Sequence, residues 1–240
     1  SNDFLAQCAF AASLAGQALT AYGFAQTVGR EEAEIFLGVV LVLSSSLFFL
    51  FPDRIHRVLM VLLATGSLTT LFYFRELNAL VPLLGPFFTA MLIALYRQRP
   101  SLVASRFATL LRPLTDGLLL SAFGALSIST VYILPELGLD HQLYPRPWLS
   151  TILLGCLFLY VGTSIWPTVA PPGNRIALPW LYGMMLIVVA CAWAAPGLLL
   201  GLIVTMLGAA SGHKTLVGAG IGFLAFFLAT YFYGIEVTML

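Results

Sequence analysis

The residues able to do chemistry in this sequence are few and far apart. Histidine occurs as His56, His141 and His213, and cysteine as Cys8, Cys156 and Cys191. A metal centre or a nucleophilic site needs such residues at short spacings. There is no CxxC and no HExxH, and no His or carboxylate stands at ligand spacing from a cysteine. All three cysteines lie in apolar runs and read as small buried hydrophobes. Ser211 and His213 come nearest to a Ser–His pair. Two positions apart at a helix end they face away from each other, and a capped turn is the simpler reading. Asp116-Gly117 lacks the further acidic residues of a lipid-head-group transferase, and the GxGD of intramembrane aspartyl proteases does not occur. No catalytic residue, metal or cofactor is assigned, and the expectation is that the chain is not an enzyme.

Composition explains why chemistry is scarce. Of 240 residues, 60% are hydrophobic and 9% charged, and the mean hydropathy is +0.98. A soluble domain carries roughly a quarter charged residues. So few charges cannot clothe a water-facing surface. Soluble enzymes, nucleic-acid binders and disordered chains are excluded, and the lipid bilayer is the expected environment.

The apolar runs are continuous, without the alternation of barrel strands. The fold class expected is all-α, a polytopic transmembrane bundle forming one domain over 1–240. About nine runs approach the roughly 20 residues a membrane helix needs: 4–25, 34–51, 55–74, 77–96, 114–135, 148–169, 176–195, 197–212 and 216–235. Numbering the intervening loops alternately places Arg54, Arg57, Arg97, Arg99, Arg106, Arg112, Arg175 and Lys214 on one side. Arg30, Arg75 and Arg146 fall on the other. This bias makes the N-terminus of the fragment cytoplasmic. Leu102, Val103, Phe107, Leu110 and Leu111 recur at helical spacing around Arg106. Residues 100–113 therefore read as a cytoplasmic interfacial helix, or equally as an extension of the fifth span interrupted at Pro113.

An ionisable group at mid-span would be the default sign of function in a membrane, and none is found. Two weaker patterns remain. Pro82, Gly85 and Pro86 interrupt the outer half of the fourth span and are expected to free the carbonyls of Asn78 and Pro82. Lipid cannot satisfy such carbonyls. Ser13, Gln17 and Thr20 share one face of the first span. These seven residues outline a candidate cavity for an uncharged or zwitterionic solute, with a dry kink packed by Phe87 and Phe88 as its rival. Ser44 to Ser46, Thr65, Ser67, Thr69 and Thr70 offer further neutral hydroxyls. The second pattern is packing: Gly197 with Gly201, Gly208 with Gly212, and Gly218 with Gly222 form GxxxG pairs that let helices approach closely.

Residues 195–240 carry a resemblance. Pro196, Gly197, Gly208, Gly212, Gly218, Gly220, Phe227, Tyr231, Tyr233 and Thr238 follow the pattern of a bacterial integral membrane family catalogued only as a domain of unknown function, number 4401. FLAQCAFAASLAGQAL at 4–19 is similar to a conserved helix of that family. Phe232 replaces the centre of its Tyr-Tyr-Tyr-like motif. The resemblance implies a multi-pass protein of the bacterial inner membrane and a fragment that is truncated at both ends. It implies no activity.

Two functions are carried forward. The first is a structural or partner-binding membrane component, with a homo-oligomer or another membrane protein as partner and no nucleic acid. The alternative is a transporter or permease for a neutral or amphipathic small molecule. A packed interior favours the first and a polar cavity the second.

Overall fold

A computed structural model describes residues 30–75, 77–103, 108–131, 147–169, 177–193 and 195–239. Among them the regular elements are all helical: α1 (Arg30–Leu50), α2 (Arg54–Phe74), a 3-10 turn at Asn78–Leu80, α3 (Val81–Val103), α4 (Ala108–Val131), α5 (Pro147–Val169), α6 (Ala177–Cys191), α7 (Pro196–Ala210) and α8 (Lys214–Met239). These eight helices fall on the second to ninth apolar runs. The first run, 4–25, lies outside the described residues. Among the described residues four stretches are long and apolar enough to cross a membrane: Glu32–Leu50, Arg54–Phe72, Trp148–Trp166 and Lys214–Phe232. Pro179–Cys191 and Pro196–Ala210 are shorter apolar helices.

The chain divides into two compact units, Ser1–Glu76 and Leu77–Leu240. In the first, α1 and α2 form a hairpin whose turn, Phe51-Pro52-Asp53, satisfies both helix ends. Oδ2 of Asp53 accepts the backbone N–H of His56 at 2.9 Å, capping α2. The Arg57 side chain is buried, and its Nε donates at 3.1 Å to the carbonyl of Phe48 in the last turn of α1. An anion thus sits at a helix N-terminus and a cation at a C-terminus, each the sign the helix dipole favours. At the far end Arg75 and Glu34 close the hairpin with a 2.9 Å ion pair.

In the second unit α3 packs on α4 and α5, α5 on α6 and α7, and α8 on α7 and α4. Its core includes Leu92, Leu126, Leu154, Leu199, Ile203 and Phe227, all fully buried. Phe123 of α4 stacks on Phe223 of α8 at 4.4 Å between ring centroids and meets Phe227 edge-on at 5.4 Å.

Two boundaries differ from the sequence expectation. The fourth apolar run ends at 96, but α3 continues through Arg-Gln-Arg-Pro at 97–100 to Val103. A proline in the last turn disturbs few remaining ladder bonds. Residues 108–113 open α4, which runs through Pro113 without the interruption expected there; 104–107 lie outside the described residues.

Candidate functional site

The interrupted helix is the place to look for a site. Pro82 is the second residue of α3, where a backbone N–H has no intrahelical partner to lose. Asn78 belongs to the 3-10 turn that precedes the helix, so its carbonyl is not freed from the α3 ladder. Both points correct the expectation of two broken bonds. Of the two prolines at the break, only Pro86 removes an α3 ladder bond, the one that would have ended on the Pro82 carbonyl. That carbonyl accepts a 2.6 Å hydrogen bond from the hydroxyl of Ser150, a fully buried residue of α5.

The rest of the break is filled by protein. A Cβ built on Gly85 would lie 2.7 Å from Cδ2 of Leu126, so the glycine admits the α4 leucine. Thr89, one turn on and fully buried, donates to the Gly85 carbonyl at 2.8 Å. Pro82, Gly85 and Pro86 are all buried. Phe88 is buried and Phe87 exposed, so one of the two expected aromatics packs inward. The remaining candidates, Ser13, Gln17 and Thr20, lie outside the described residues. The neighbour of Pro82 that sequence reasoning missed is Ser150. It stood in the Trp-Leu-Ser-Thr opening of the sixth run, where a lone hydroxyl pair gave no periodic signal.

Thr151, next to Ser150 and also fully buried, donates to the carbonyl of Trp193 at 3.0 Å, tying α5 to the turn before α7. Other hydroxyls turn back on their own helices. Ser44, Ser45 and Ser46 bond the carbonyls of Val40, Leu41 and Val42, and Thr65, Thr69 and Thr70 those of Val61, Thr65 and Gly66. Such back-bonding satisfies a hydroxyl in an apolar setting without a second helix or water.

The glycines sort into two groups. Gly197, Gly201 and Gly208 on α7 meet Phe227, Leu224 and Val217 of α8, and Gly220 of α8 meets Thr205 of α7. A Cβ at Gly208 would stand 2.6 Å from the Val217 nitrogen, so backbone approaches backbone there. Among the described residues nothing lies within 4 Å of a Cβ at Gly218 or Gly222, and both are exposed. The close approach expected at Gly218 and Gly222 is made in the α7–α8 contact by Gly220 instead, which two residues of helical rotation place on the opposite face. Gly212 is not a packing residue either. Its φ of 66° makes it the left-handed residue closing α7. The N–H of Gly212 bonds the Ala209 carbonyl and that of His213 the Gly208 carbonyl, the two bonds of a Schellman cap. Ser211 donates to the Leu207 carbonyl at 2.7 Å, while Nδ1 of His213 lies 2.8 Å from Oγ1 of Thr215. The Ser211–His213 neighbourhood is therefore a capped turn.

Apolar helices joined by buried hydroxyl–carbonyl bonds and glycine contacts define an all-α protein with membrane-compatible helices. The chain belongs to the family described as Domain of unknown function (DUF4401), which matches residues 1–240. No curated protein and no solved structure matches it.

Proposed function

We propose that the chain is a multi-pass integral protein of a bacterial inner membrane, with about nine spans, of which four described stretches have the length and hydropathy to cross a bilayer by themselves. The N-terminus of the fragment is cytoplasmic. It acts as a structural or partner-binding component rather than as an enzyme or a permease. One observation carries the reading: the carbonyl freed by Pro86 is bonded by Ser150, and the space at Gly85 is occupied by Leu126. Interrupted helices in transporters leave such groups to substrate or ions. Here they are spent on neighbouring helices. The positive bias of alternate loops supports the orientation.

The test is flux. The full chain reconstituted in liposomes should leave osmotic swelling with glycerol, a hexose and a zwitterionic amino acid at the rate of empty vesicles. Saturable swelling above that rate would replace this reading with the permease.

A further inference from the structure

The second unit has a basic end. Gly85 of α3 meets Leu126 of α4, so the two helices run antiparallel and the start of α4 lies beside the end of α3. By the same logic the α7–α8 contacts run antiparallel from Gly197–Phe227 to Gly208–Val217. Ser150 bonds Pro82 and Thr151 bonds Trp193, so the starts of α3, α5 and α7 share one end and their last turns the other. The α7–α8 turn with Lys214 is therefore at the end that holds Arg97 and Arg112. All three cations are exposed. The acid nearest Arg97 and Arg112 in sequence is Asp116, one turn beyond Arg112 in α4.

Arg97 differs from the other two. Its guanidinium carbon lies over the ring of Tyr160, 5.1 Å from the centroid, bridging α3 and α5. An aromatic face stabilises the charge but offers no oxygen to the five N–H donors. A phosphate supplies those oxygens, and arginine takes them two at a time. The flank leading back from the pair is apolar and exposed: Ala94, Met91 and Phe87 on α3, and Ile152 on α5. Ten helical residues from Phe87 to Arg97 span about 15 Å, half of a hydrocarbon core of roughly 30 Å. That is the reach of one leaflet's acyl chains, with the cation at headgroup depth.

We propose that an anionic phospholipid seats in a groove where α3 and α5 meet, its phosphate on Arg97 beside Tyr160 and its chains along the exposed Phe87, Met91 and Ile152. This rests on the membrane reading above.

The test uses the purified full chain in mixed micelles holding equal phosphatidylglycerol and phosphatidylcholine, with retained lipid counted by native mass spectrometry. The wild-type chain should retain phosphatidylglycerol several-fold over phosphatidylcholine. Arg97→Gln should abolish the preference and Tyr160→Leu reduce it, while Arg112→Gln, at an exposed cation that meets no aromatic ring among the described residues, leaves it unchanged. Equal retention by the wild-type chain, or an equal loss in Arg112→Gln and Arg97→Gln, would overturn the groove. Carbonate extraction of membranes separates the two readings. A chain released by carbonate fails the membrane assignment, whereas a retained chain with no lipid preference fails only the groove.

Discussion

Ser150 and Pro82 are 68 residues apart in sequence and 2.6 Å apart in space, hydroxyl to carbonyl, in the buried interior of the second unit. The bond converts the backbone defect made by Pro86 into a link between α3 and α5. Ser150→Ala would leave the Pro82 carbonyl buried without a donor, a cost of about 1–3 kcal/mol. Thermal unfolding in detergent should show the loss, and a midpoint equal to that of the wild-type chain would argue against the bond.

The α7–α8 hairpin makes a paired prediction. Gly220→Leu should destabilise by about 1–3 kcal/mol, the usual cost of overpacking, because Thr205 stands against it. Gly218→Leu, two residues away on the open face, should be neutral or gain up to about 1 kcal/mol from helix propensity. Urea or thermal titration of both variants checks the contrast; equal losses would mean that both faces are packed.

The contrast also marks what could be read from sequence. Continuous apolar runs located the helices, because length and hydropathy are local properties. The glycine pattern announced close packing but not which glycines do it, since Gly218–Gly222 and the Gly220 face are both rows of small residues on one helix. Which row meets α7 depends on the rotation of α8, a tertiary property. Ser150 was invisible for the same reason: its partner is a backbone carbonyl, which carries no residue signature. The role of Gly212 was hidden by its four-residue spacing from Gly208, which imitates a packing motif where the chain makes a turn.

The first unit is held at its turn by Asp53 and Arg57. Asp53→Ala removes the cap of α2 and should cost about 1 kcal/mol. Arg57→Met, which loses the charge-assisted bond to the Phe48 carbonyl while keeping the bulk, should cost about 1.5–3 kcal/mol. Hydrogen exchange of the α1–α2 turn amides measures both, and unchanged protection in either variant would remove that contact from the account.

At the opposite end of that hairpin the Glu34–Arg75 pair is 24% and 61% exposed, so water screens it. A double-mutant cycle with Glu34→Gln and Arg75→Gln should give a coupling below about 1 kcal/mol that shrinks further in high salt. A larger, salt-independent coupling would mean that the pair is shielded from solvent.

The central claim is that the break in α3 is closed by protein and holds no water-filled passage. Thr89, fully buried one turn beyond Gly85, reports on it directly. In a chain with Cys8, Cys156 and Cys191 replaced by alanine, Thr89→Cys should resist a membrane-impermeant thiol reagent applied to either side. Ser211→Cys, in the exposed α7–α8 turn, should label to completion from the cytoplasmic face. Labelling of Thr89→Cys at a rate comparable to Ser211→Cys would contradict the account and put a hydrated cavity at the prolines.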